Sequence, residues 1–311
     1  MPEFRKILFV SQGGNEEADA LKQALSLARN NQARLAVLIV RPELPGEISA
    51  YREKYEDALI REFGAATAAA REAVKVTERD VPVTVKVEAG GTPAVRIVRH
   101  VIENGYDLVI KQAEAREGRG FRALDMELLR KCPSPVWLCR PIDRHRHEMR
   151  VAVAIDPDSP TPEGRTLSLR LLELARSLAD SCSGVLDVVA CWDFQLETYL
   201  RGNVWIKMTE PELARLVDQA RAKSRAGLDE LIRISGIAGE VKVHHVRGEA
   251  AEKIPQLADD ERIDILVMGT LARTGIPGFV IGNTAENVVQ GLACSLLALK
   301  PAGFVSPVRG R

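Results

Sequence analysis

The sequence predicts an α/β fold in which an open, doubly wound parallel sheet is built twice in tandem. Three observations carry that expectation. Apolar, β-branched runs alternate with segments of helical period from one end of the chain to the other. The run at 33–40 is continuously apolar, as a strand buried on both faces of a parallel sheet requires. The order of elements in the first half then recurs in the second: YDLVIKQ at 106–112 is answered by IDILVMG at 263–269, and KCPSPVWLCRP by LACSLLALKP. A repeat unit of roughly 150 residues is far longer than a solenoid period, so each copy is expected to be a domain with its own core, residues 1–143 and 144–311.

Each element has its own signal. In the first half, strands are expected at 5–12, 33–40, 81–89, 107–111 and 136–140. Between them fall helices at 16–30, at 50–79 in an alanine-rich stretch, from Thr92-Pro93 onward, and at 125–132. The second half gives strands at 150–156, 184–192, 240–246, 263–268 and 296–300. Its helices are expected at 163–179, from Thr209 to about 235, at 249–260, and from near Thr284. Thr209 and Glu212 stand at capping-box spacing, a hydroxyl at the N-cap and a carboxylate three residues on. The two final strands, 136–140 and 296–300, would each leave an apolar edge exposed, so they are expected to meet where the halves join.

Composition removes several classes of function. A chain of 311 residues with 46% hydrophobic residues can bury a large core. Its 43 basic and 43 acidic residues cancel, leaving no global field to attract nucleic acid or an anionic membrane. No apolar run approaches the roughly 18 residues that span a bilayer, and the N-terminal residues read as a strand, so a soluble, cytoplasmic protein is expected. The 5 cysteines are scattered and lack CxxC spacing, which reads as buried apolar residues with no disulfide framework or zinc site. His244 and His245 are neighbours on a strand, point to opposite faces and cannot chelate one ion together. His145 and His147 read as part of a solvated linker, and Trp192, Phe194, Tyr199 and Trp205 as core packing with a lid as the alternative.

In a sheet of this kind, ligands bind beyond the carboxyl ends of the strands, where strand order reverses. Asp156 and Gly269 end two strands of the second half on that edge. After Gly269 comes GTLARTGIPGFVIGNTAENV, a glycine-rich loop that enters a helix near Gly282. Glycines let backbone N–H groups approach an anion, and Asn283, Thr284 and Ala285 would offer the unpaired donors of a helix start. Arg273 and Thr274 could add charge and a hydroxyl. The loop is neither a Walker loop nor GxGxxG.

The spacing Gly269-x-x-Ala272-x9-Gly282-Asn283 resembles the signature of the universal stress protein family, and LLRKCPSPVW, GNTAENVV and LLALKP extend the resemblance over the whole chain in its tandem-domain form. The resemblance implies two Rossmann-like, adenine nucleotide α-hydrolase-like domains packed as a pseudo-dimer through their last strands. It also implies a stress-response role with no catalytic reaction, protein partners, and the capacity to form a homodimer. By the same resemblance, ATP would bind in the second domain only. Asp156 would hold the nucleoside, the backbone near Cys191 the adenine, and Gly269, Ala272, Gly282, Asn283 and Thr284 the phosphates. Ala272 stands where the family has a second glycine and Asn283 where it has a serine, although asparagine can still cap a helix or donate to phosphate. In the first half Ser11 and Gln12 replace the aspartate, Gln112 replaces the first glycine, and the loop is shorter, so no phosphate cradle is expected there. The alternative function is a scaffold that binds an apolar ligand or a protein without nucleotide. A hydrolase would need a lysine, paired carboxylates for magnesium and a water-positioning base, which the loop does not offer.

Overall fold

The computed structural model describes residues 3–13, 17–114, 119–202, 208–270 and 281–310. In the first half, β1 (Lys6–Ser11), β2 (Arg34–Arg41), β3 (Val83–Ala89), β4 (Leu108–Gln112) and β5 (Val136–Cys139) alternate with α1 (Ala18–Asn31), α2 (Arg52–Val74), α3 (Pro93–Asn104) and α4 (Ala123–Lys131). The second half follows with β6 (Arg150–Ala154), α5 (Pro162–Cys182), β7 (Val185–Trp192), α6 (Glu197–Gly202), α7 (Glu210–Ser235), β8 (Val241–Arg247), α8 (Ala250–Asp260), β9 (Ile265–Gly269), α9 (Asn283–Gly291) and β10 (Ser295–Leu299). The short helix α6 and a 3-10 turn at Gly46–Tyr51 have no counterpart in the expectation from sequence.

Local chemistry sets the element ends. Helix α2 stops short of its expected end because Lys75 turns into the left-handed region. Thr209 and Glu212 form a complete capping box on α7, which closes at Gly236, also left-handed. Thr161 caps α5 by accepting from the Gly164 N–H, with Pro162 in the first turn.

All ten strands join one sheet in the order β3-β2-β1-β4-β5-β10-β9-β6-β7-β8. Every neighbouring pair is parallel except β5 and β10, which meet antiparallel with Trp137 opposite Leu297. The expected meeting of the two final strands is therefore a hydrogen-bonded junction. It turns the carboxyl edges of the two halves to opposite ends of the molecule.

Along β1, Ile7 and Phe9 face one side while Leu8 and Val10 face the other, the period of two that a strand imposes. The buried residues accordingly divide by face of the sheet. One cluster lies under α1, α2, α5 and α7 and the other under α3, α4, α8 and α9, and each draws on both halves. Ion pairs also cross between the halves on the second face: Arg130 to Glu286 at 2.5 Å, and Arg119 to Asp259.

Candidate functional site

In the second half the carboxyl edge is assembled by register. Ala154 of β6 lies level with Met268 of β9 and Val189 of β7. Asp156, Thr270 and Cys191, each two residues further on, therefore reach the same edge of three adjacent strands. Strand order reverses between β6 and β9, and this crevice is where an open α/β sheet receives ligands.

Asp156 is exposed by surface area but hemmed in by protein. Desolvation raises its carboxyl above the ordinary range, the charge of Asp158 adds to the shift, and the N–H of Asp158, donating to Oδ1 at 3.0 Å, opposes it. Cys191 is partly buried, and burial pushes its thiol up to about 11, so the thiol is neutral at pH 7. Gly269 sits against α5, where an added Cβ would lie 2.8 Å from Cδ2 of Leu167. Close packing is thus one reason for a glycine there.

Thr270, which sequence reasoning passed over as a site residue, is fully buried. Its N–H donates to the Leu299 carbonyl at 2.9 Å, and its own carbonyl accepts the Gly282 N–H at 3.0 Å. That last bond pins together the two ends of the glycine-rich excursion. The only hint in the sequence was a hydroxyl residue directly after the strand.

Gly282 is the N-cap of α9 with φ −60° and ψ 145°, a conformation open to any residue, so it is not held there by turn geometry. Among the described residues no side chain caps this helix, and the N–H groups of Asn283, Thr284 and Ala285 have no carbonyl partner within it. Ala272 and Arg273, with the rest of 271–280, lie outside the described residues.

Beside the edge, Trp192 is buried and stacks on His245 with ring centroids 5.8 Å apart, while Arg247 lies 5.5 Å over the indole. Burial lowers the His245 pKa, with Arg225 and Arg221 adding to the effect, and its Nε2 lies 3.1 Å from Oγ of Ser224. His244 turns to the other face and meets the buried Asp187 at 2.7 Å. Tyr199 is exposed, Phe194 is half-buried and Trp205 lies outside the described residues, so the four aromatics are not one packed group.

The first half fills its matching edge with its own side chains. Lys111 and Asp125 form an ion pair of 2.9 Å with side-chain exposures of 2% and 0%. Asp125 also accepts the N–H of Glu114 at 3.1 Å, and Glu114 accepts from the Gln12 amide at 3.0 Å. Glu17 accepts from the Ser11 hydroxyl at 2.5 Å and the Gln12 N–H at 2.8 Å; burial raises its pKa against those bonds. Asp125 is the third residue of α4, a position where a carboxylate faces the positive end of the helix. The third residue of α9 is Ala285, and Met268 holds the place of Lys111 as fourth residue of its strand.

Comparison with known proteins agrees with this architecture. The model of the universal stress protein family matches residues 3–140 and again 149–300. Universal stress protein E of Escherichia coli K12 is 29% identical over 322 residues, covering 99% of this chain and 98% of that protein. The protein of the same name from Photorhabdus laumondii is 25% identical, with 99% of each covered. Among solved structures, a putative universal stress protein from Pseudomonas aeruginosa UCBPP-PA14 superposes with a TM-score of 0.70 at 24% identity, over 96% of this chain and 94% of that one. One from Archaeoglobus fulgidus DSM 4304 gives 0.63 at 17% identity, over 96% and 97%.

Proposed function

This chain belongs to the universal stress protein family, and from that premise we propose that residues 144–311 form a domain that binds one adenine nucleotide, ATP, without turning it over. Residues 1–143 form a partner domain whose own site is closed, and the protein acts in the cytoplasm by presenting the liganded domain to other proteins. The observation that carries this reading is the contrast between two helix starts at matching places: neither has a side-chain cap among the described residues, but the third residue of α4 is Asp125, a buried carboxylate held by Lys111, where α9 has Ala285. An anion fits the second and is pre-empted in the first.

In this assignment the phosphates meet the N–H groups of Asn283 and Thr284. Gly269, Ala272, Arg273 and Gly282 form the cradle, Asp156 accepts from the ribose hydroxyls, and the backbone at Cys191 meets the adenine. No helix among the described residues is long and apolar enough to cross a membrane.

Calorimetric titration of ATP into the full chain tests the reading. One site per chain is expected, with no ADP formed on incubation, and Asp156→Ala should weaken binding by about 1 to 3 kcal/mol, the range for a lost charged hydrogen bond. Two equivalent sites, steady ADP release, or no binding at millimolar ATP would each overturn it.

A further inference from the structure

Helix α9, whose first turn carries the proposed phosphate contacts, is held at both ends by the first half. At its far end, segment 119–121 packs onto the last turn. The N–H of Gly120 donates to the Leu292 carbonyl at 2.8 Å, and Nη1 of Arg119 donates to the Gly291 carbonyl at 2.9 Å. Gly120 has φ +81°, and an added Cβ would lie 2.9 Å from the Gln290 carbonyl oxygen, so both conformation and closeness require glycine there. Arg140, just beyond β5, donates to the Gly120 carbonyl and lies 5.0 Å over the Phe121 ring, which fixes the segment in turn.

At the near end the contact is one of charge. Glu286 is the fourth residue of α9 and the acid of its first turn. Its Oε1 accepts from the Arg130 guanidinium of α4 at 2.5 Å. A carboxylate in the first turn suits the helix, but it competes with any second anion drawn to the same positive end. With the far end of α9 pinned, rotating the helix is a costly way to move that carboxylate aside. The charge is met by Arg130 instead. Glu127, the other acid beside Arg130, lies further off at 3.9 Å and pairs with Lys131.

We propose that the first half tunes nucleotide affinity in the second: Arg130 neutralises Glu286 and so clears the first turn of α9 for a polyphosphate. This role rests on α9 receiving the phosphates, as proposed for residues 144–311. The half that has filled its own edge then supplies the cation that keeps its neighbour's edge receptive. The effect is confined to the phosphate end. Adenosine, which carries no phosphate, meets the edge at Asp156 and Cys191 and makes no demand on α9.

Calorimetry on the full chain, with ATP and with adenosine, tests the role of Arg130. Arg130→Ala should weaken ATP about two- to fivefold, the effect of one unpaired charge near a helix end, and leave adenosine affinity unchanged. The deficit should shrink between about 0.01 M and about 1 M salt, as screening removes it. Glu286→Gln alone should not weaken ATP, and Glu286→Gln combined with Arg130→Ala should restore the parent affinity. A loosened fold would weaken both ligands, so the ratio of ATP to adenosine affinity separates the charge effect from damage to the structure. Unchanged ATP affinity in Arg130→Ala, an equal loss for adenosine, a deficit insensitive to salt, or weaker ATP binding in Glu286→Gln would each overturn the proposal. A loss that persists in the double variant would overturn it too, since the guanidinium would then be touching the nucleotide itself. If the parent binds no ATP, the nucleotide reading falls and this role falls with it; if the parent binds ATP, each of these outcomes bears on Arg130 alone.

Discussion

Lys111 and Asp125 are enclosed so fully that neither tolerates change alone. Asp125→Ala leaves an ammonium buried without its partner and should cost about 3 to 5 kcal/mol in urea unfolding. Lys111→Met with Asp125→Ala, which installs the residues found at 268 and 285, should be neutral or stabilising, since a buried ion pair often contributes little net stability. Additive losses in the double variant would contradict this. Lys300 gives a separate prediction in pH. Burial lowers its pKa to about 8, below the ordinary 10.5 of an exposed lysine. Its ammonium donates to the Leu129 carbonyl and lies 4.9 Å from the Phe304 ring. Between about pH 8 and pH 10.5 the unfolded state holds the extra proton, so Lys300 makes stability rise with pH across that window. Cys132, raised to about 11 by burial, acts in the opposite sense above its ordinary 9. Lys300→Met isolates the lysine: it should stabilise the protein at pH 7, and its advantage over the parent should shrink as pH climbs past 8. An advantage independent of pH would refute the assignment.

At the scale of elements, α4 and α9 are the same helix given two different first turns. Met268→Lys with Ala285→Asp carries the first half's ion pair into the second. The variant should keep its helical circular dichroism and lose ATP, because the new carboxylate takes the place of the phosphate. Retained ATP affinity would sink the idea that the first turn of α9 holds the anion. Thr209→Ala should fray the start of α7, seen as faster amide exchange at residues 210–213, because the capping box satisfies the N–H groups of Thr209 and Glu212. That box was legible in the sequence because both partners lie within one turn, and most strands were legible from continuous apolar runs. The Lys111–Asp125 pair was not. Its members lie 14 residues apart on two different elements, sit in segments with ordinary strand and helix spacing, and reveal themselves only when the strand and the helix pack together. Helix α6 was missed because a single turn carries too few periods to stand out.

For the whole molecule, the two buried clusters run through both halves and the sheet is continuous across the β5–β10 junction. Heating should therefore give one cooperative transition, with calorimetric and van't Hoff enthalpies in agreement; two resolved transitions would show that the halves melt independently. Ala298→Pro, which removes an N–H opposite Val136 at the junction, should lower the midpoint sharply. The pairing of the last strands followed from their apolar edges, but the division of the core by face did not, since a repeat in sequence suggests a repeat in packing. The junction also has an evolutionary consequence. A symmetric dimer of identical chains places every substitution at both of its ends, so a change that closes one ligand edge closes the other. Joining the two copies in one polypeptide releases each codon from its twin. The Lys111–Asp125 pair can then occupy one end with no counterpart at the other, which faces the opposite direction because β5 and β10 run antiparallel.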